Sequence, residues 1–117
     1  MSQTVLTSWR GAIVATLPPD LDAPACLDLR DRLSHRVRAT RARAVVLDAT
    51  AIDVMDTEDW SHLKAALATV ALLGARGAIA GLQPGVVAAL VVCGAATEDV
   101  LAFRTVEDAV QTLERKA

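Results

Sequence analysis

The sequence predicts an α/β fold: a mostly parallel sheet of four to five strands, packed with about four helices. Three observations carry that expectation. Ala44-Val45-Val46-Leu47-Asp48 is an unalternated apolar run ending in an acid, the pattern of a strand covered on both faces. Just before it, Cys26, Leu29, Leu33 and Val37 recur at helical spacing, while Asp28, Arg30, Asp31, Arg32, Arg36 and Arg38 occupy the other faces. Strand-like and helix-like segments then alternate to give the order β-β-α-β-α-β-α-β-α, which calls for parallel pairing through right-handed crossovers.

Each element has its own signal. Leu6 to Trp9 and Ala12 to Thr16 read as two short strands around Arg10-Gly11, and Pro18-Pro19-Asp20 ends the second. Asp22 can cap the first helix, with Pro24 in its first turn. After the Ala44–Asp48 strand and a loop, Trp60, Leu63, Leu67, Val70 and Ala71 mark a second helix closed by Gly74. Ala78 to Ala80 reads as a short central strand, and Pro84 to Val92 as a third, buried helix ended by Gly94. Val100 to Phe103 is a last short strand. Thr105-Val106-Glu107-Asp108 resembles a capping box, opening a fourth helix that runs to about Glu114.

The bulk properties exclude several classes. The 117 residues suit one domain, 1–117, with a proper core. Apolar residues make up 53%, yet aromatics are only Trp9, Trp60 and Phe103, so Leu, Val, Ile and Ala must build the core. A formal charge of −2 with both signs spread along the chain argues against nucleic acid and gives no electrostatic reason to sit on anionic lipid. Gly77 to Thr97 carries no charge and is long enough to span a bilayer, but its four glycines and Pro84 argue against a membrane helix. Cys26 and Cys93 lie among apolar residues in helical segments and read as two buried thiols in a reducing compartment. Met1 to Thr7 lacks the pattern of a signal peptide. A cytoplasmic chain is expected.

Candidate chemistry gathers in the loop after the third strand, Asp48-Ala49-Thr50-Ala51-Ile52-Asp53-Val54-Met55-Asp56-Thr57-Glu58-Asp59. Sites in open α/β sheets favour the carboxyl ends of strands. Thr57 falls at the start of the second helix, where free amides favour an anion. A phosphoryl group there would add nearly two charges among Asp53, Asp56, Glu58 and Asp59, an acidic bump able to expel a partner docked on a neutral hydroxyl. The plainer reading is that Asp56 or Thr57 caps the helix and the other acids are solvated. A magnesium site is a weaker reading of the same carboxylates.

Gly81-Leu82-Gln83-Pro84-Gly85 joins a strand to a helix but matches neither a Walker loop nor GxGxxG. A tight turn with Pro84 at the first helical position explains it; a partner-binding lip beside the Thr57 loop is the functional alternative. His35 and His62 read as surface residues, and Ser34, Ser61 and the cysteines form no nucleophile motif. Arg36, Arg38, Arg41 and Arg43 read as a solvated helix end, or as a contact face for an acidic partner or a neighbouring subunit.

Val45-Val46-Leu47-Asp48 through Ile52-Asp53-Val54-Met55-Asp56-Thr57 resembles the signature of the STAS, or anti-sigma-factor antagonist, family: a hydrophobic strand, an acid, then D-x-x-D followed by Ser or Thr. Leu72-Leu73-Gly74-Ala75-Arg76 followed by Gly81-Leu82-Gln83-Pro84 resembles the second half of stressosome STAS domains. The resemblance runs from about Ala42 to Leu113, and its subgroup looks like the RsbS-type single-domain scaffold. It implies a non-enzymatic protein without cofactor or metal, which acts by partner switching. An RsbT-type serine/threonine switch kinase would phosphorylate Thr57 and be released. RsbR-type sensor paralogues and self-association are the other partners implied, with no nucleic acid and no membrane. The partner-binding residues are expected to be Asp53, Asp56, Thr57, Glu58, Gln83 and Pro84. Scaffold subunits usually carry Ser at the switch position, and Thr57 is more typical of the sensor paralogues. Ala89 stands where those paralogues carry a second phosphorylatable Thr. Glu58-Asp59 replaces a more common apolar pair.

Two alternatives remain at this level. One is a monomeric antagonist that captures an anti-sigma kinase directly. The other, from a different class, is a nucleotide- or metal-dependent enzyme using Asp48, Asp53 and Asp56, although no nucleophile, base and oxyanion donor converge in the sequence.

Overall fold

The computed structural model describes residues 4–115. The N-terminal stretch read as lacking a leader therefore lies partly outside the described residues. Five strands form one sheet in the order β1 (Val5–Trp9), β2 (Ala12–Thr16), β3 (Ala44–Asp48), β4 (Arg76–Ala80) and β5 (Ala102–Phe103). Four helices follow the predicted order: α1 (Ala23–Thr40), α2 (Thr57–Leu72), α3 (Pro84–Val92) and α4 (Val106–Arg115). β1 pairs antiparallel with β2 through the Arg10-Gly11 turn, whose φ values of 54° and 80° are those of a tight hairpin. The β2–β3, β3–β4 and β4–β5 pairs are parallel, as the alternation requires.

The pleat sorts the strand residues into two cores. Ile13, Ala15, Val45, Leu47 and Ile79 face α1, α2 and α3, which contribute Cys26, Leu29, Leu33, Val37, Trp60, Leu63, Val70, Val86 and Leu90. Ala12, Val14, Ala44, Val46, Ala78 and Ala80 face α4, which contributes Ala109, Val110 and Leu113. Both faces of β3 are thus covered, which is why its apolar run does not alternate. The second face is paved mainly with alanine and valine, so α4 can lie close against it.

The helix ends follow local chemistry. Asp22 accepts from the Ala25 amide at 2.9 Å, and Pro24 stands in the first turn of α1. Thr105 Oγ1 accepts from the Asp108 amide at 3.1 Å at the head of α4.

Four expectations change. β4 begins at Arg76, not Ala78, because its backbone stays in register with Ala44 and Val45 although Arg76-Gly77 has no strand-like pattern. A Cβ at Gly77 would come 2.8 Å from Leu67 Cδ2, so α2 packs directly over that backbone. β5 keeps only Ala102–Phe103, while the Leu101 carbonyl still accepts from the Ile79 amide at 2.9 Å. α3 is not a buried helix. Only Val86 and Leu90, one i,i+4 pair, reach the core, and Val87, Val91 and Val92 are exposed. Cys93, at its C-cap, is likewise exposed, whereas Cys26 is buried as expected. Among the described residues no helix is long and apolar enough to cross a membrane.

Candidate functional site

The candidate site lies at the carboxyl end of the parallel strands, where the loops after β3 and β4 meet. β3 delivers Asp48, whose Oδ1 accepts from the Thr50 amide at 3.0 Å and from Thr50 Oγ1 at 2.6 Å. This turn reverses the chain. Ile52 and Met55 then plug the loop into the core. Between and beyond these anchors Asp53, Val54, Asp56, Thr57 and Glu58 are left exposed. A rigid base with an exposed polar rim is suited to recognition by a partner.

The second loop closes onto the first. Gln83 Nε2 donates to the Thr50 carbonyl at 2.9 Å and to Asp53 Oδ1 at 3.1 Å. Gly81, at φ 76°, precedes it, and a Cβ there would collide with Thr50 Oγ1. Glycine is needed at that position for both backbone conformation and space. Pro84 is exposed at the start of α3, its fixed φ and missing amide costing nothing in a first turn.

Thr57 is the first residue of α2 and is exposed. Asp56 caps the helix, accepting from the Asp59 amide at 2.7 Å, and Asp59 Oδ2 accepts in return from the Asp56 amide at 3.4 Å. Glu58 lies 3.8 Å from His62 one turn on. The acids are crowded enough to perturb one another. Burial, together with the neighbouring Asp56 and Glu58 charges, pushes the Asp59 carboxyl above its ordinary value, although the Asp56 amide bond opposes the shift. Burial also pushes the Cys26 thiol up to about 11, reinforced by Asp59 and Asp22. The heads of α1 and α2 therefore share one negative field.

The structure joins Asp53 to Gln83 directly, and the chain carries Asp56, Thr57, Glu58 and Pro84 on the same rim. It does not bring Asp48, Asp53 and Asp56 to one point. Asp48 is turned onto Thr50, Asp53 onto Gln83 and Asp56 onto the α2 amides. Among the described residues no group of three or more His, Cys, Asp or Glu side chains could hold a metal ion.

Sequence reasoning gave no role to Thr50, which fastens both loops, or to Val54, an apolar side chain 83% exposed on the rim. An apolar residue between two loop aspartates was the available signal for Val54. For Thr50 there was none, because its partners lie on another loop.

The STAS domain family model matches residues 5–109. RsbT co-antagonist protein RsbRA of Bacillus subtilis (strain 168) is 25% identical over 112 residues, which cover 96% of this chain and 41% of that protein. The chain thus spans about two fifths of the length of that curated relative. Among solved structures, a serine-to-glutamate variant of RsbS from Moorella thermoacetica superposes with a TM-score of 0.82 at 18% identity, covering 98% of this chain and 97% of that one. A chain from the molecular architecture of the stressosome gives 0.82 at 17% identity, covering 96% and 97%. The unphosphorylated anti-sigma factor antagonist SpoIIAA gives 0.74 at 16% identity, covering 96% of each chain. These likenesses show a common fold.

Proposed function

The chain belongs to the STAS domain family, matched over residues 5–109, and on that premise we propose that it is a non-enzymatic partner-switching subunit of a stressosome-like scaffold, controlled by phosphorylation at Thr57. One observation carries the reading: Thr57 stands exposed as the first residue of α2, on a rim held in place by the Gln83 bonds. A kinase can reach that hydroxyl without unfolding anything. The partner proposed is an RsbT-type serine/threonine switch kinase, consistent with the similarity to an RsbT co-antagonist. RsbR-type paralogues and further copies of this chain complete the assembly, in the cytoplasm. The reading of residues 1–117 as one such domain belongs to the same proposal.

The switch is electrostatic. The kinase transfers the γ-phosphoryl group of ATP to Thr57 Oγ1; the hydroxyl proton goes to a base of the kinase and ADP leaves. The product carries nearly two negative charges at the head of α2. The helix amides attract them, but Asp53, Asp56, Glu58 and Asp59 surround them. A partner seated on the neutral Thr57 hydroxyl beside Val54 then faces nearly two further negative charges on an already acidic rim and dissociates.

The test pairs phosphopeptide mapping from the native host, with and without stress, with binding of an RsbT-type kinase to variants. Phosphate on Thr57 that changes with stress is expected. Thr57→Ala should bind kinase and resist modification, and Thr57→Glu should bind at least about tenfold more weakly, the cost of one unfavourable charge at an interface. Kinase binding by Thr57→Glu equal to wild type would overturn the electrostatic switch.

A further inference from the structure

At the opposite end of the sheet from Thr57 lies a cleft of about 400 Å³. Three segments distant in sequence enclose it: the β1–β2 turn, the α1–β3 connection and the last turns of α4. Its rim carries Arg10, Arg41 and Arg43, all exposed, and its lining includes the apolar Ala44, Val110 and Leu113. Among the described residues none of these three arginines forms an ion pair. Glu114 is the one acidic side chain in the lining and lies beyond ion-pair distance of all three.

The backbone adds a second observation. Arg10 and Arg41, at φ 54° and 55°, are the non-glycine residues with positive φ among the described residues, and both border this cleft. Asparagine or glycine would occupy either position at less conformational cost. Arginine at both sites places two long cations on one opening. Arg10 also lies over the Trp9 ring, 5.5 Å from its centroid, so its guanidinium rests on an aromatic surface beside the cleft.

We propose that this cleft binds a small organic anion with a short apolar body. The carboxylate or phosphate head would be held by guanidinium forks, which match such groups in a bidentate manner. The body would lie against Ala44, Val110 and Leu113. The volume is within the range of small-molecule sites, roughly 300–1,000 Å³. The site is separate from the Thr57 rim: Arg41 and Arg43 precede β3, and the rim follows it.

Octanoate is the probe, with hexanol as an uncharged counterpart and inorganic phosphate as an anion without an apolar body. Amide and indole resonances of the full chain are followed by NMR during each titration. Octanoate is expected to shift the Gly11, Ala44 and Val110 amides and the Trp9 indole saturably. The Trp60 indole, which donates to the Ala96 carbonyl at 2.8 Å, should stay in place. An Arg41→Gln, Arg43→Gln double variant should keep the spectrum of the folded protein and bind octanoate about tenfold or more weakly. Equal octanoate affinity in that variant, equal affinity for phosphate or hexanol, or no saturable shift at these residues overturns the proposal.

Discussion

Gln83 and Asp53, 30 residues apart in the chain, are joined by a hydrogen bond of 3.1 Å from Gln83 Nε2 to Asp53 Oδ1. The same amide nitrogen reaches the Thr50 carbonyl at 2.9 Å. One side chain at the head of α3 thus sets the shape of the rim that presents Thr57.

Removing that side chain should loosen the rim without unfolding the domain. Gln83→Ala is expected to cost about 1 kcal/mol in urea unfolding, because both bonds are partly solvated. Amide hydrogen exchange from Thr50 to Asp53 should accelerate. Gln83→Glu should cost more than Gln83→Ala, since it sets a carboxylate against Asp53 and a carbonyl. Wild-type exchange rates in Gln83→Ala would mean that Ile52 and Met55 alone hold the loop.

Gly81 admits no side chain. Gly81→Ala combines a left-handed backbone with a collision at Thr50 Oγ1, and should destabilise the fold by roughly 2 kcal/mol or more. Adding Thr50→Ala should recover part of that loss and leave the conformational part. A denaturation midpoint for Gly81→Ala equal to wild type would show that the loop relocates freely.

Asp59 sets a pH dependence. Its carboxyl is held above the ordinary 3.8, chiefly by burial and by the neighbouring acids. The folded chain keeps this proton to higher pH than the unfolded chain does. The associated stability is fully present below 3.8 and is lost as pH rises through the raised value. Asp59→Asn retains an acceptor for the Asp56 amide and carries no charge. It should match or exceed the wild-type thermal midpoint at pH 7 and flatten the profile just above pH 3.8. A loss of more than about 0.5 kcal/mol at pH 7 would mean that attraction to the α2 amides outweighs burial.

The two thiols should separate cleanly. Cys93 is exposed, whereas Cys26 is buried and pushed up to about 11. Iodoacetamide at pH 8 should modify Cys93 alone in the folded chain, and Cys26 only after denaturation, as read by peptide mass spectrometry. Rapid modification of Cys26 would place the head of α1 in frequent local opening.

Local chemistry made most of the fold legible. Asp22 with Pro24, Asp56 before Thr57 and Pro84 after Gln83 are short-range signals, and each helix begins where they stand. The Ala44–Asp48 run announced a doubly covered strand because burial on both faces removes alternation. The position of Thr57 at a helix head followed from the same local rules.

Tertiary structure alone decided the rest. β4 extends back to Arg76 because ladder partners, not side-chain pattern, define its start. Val87, Val91, Val92 and Cys93 are exposed because a helix of nine residues reaches this core along one stripe, and apolar composition does not say which side is covered. The Gln83–Asp53 bond and the arginine cleft join segments that are distant in the chain. Periodicity and capping act over a few residues, so they specify elements. Which elements meet is settled only when the sheet orders its strands and buries both faces.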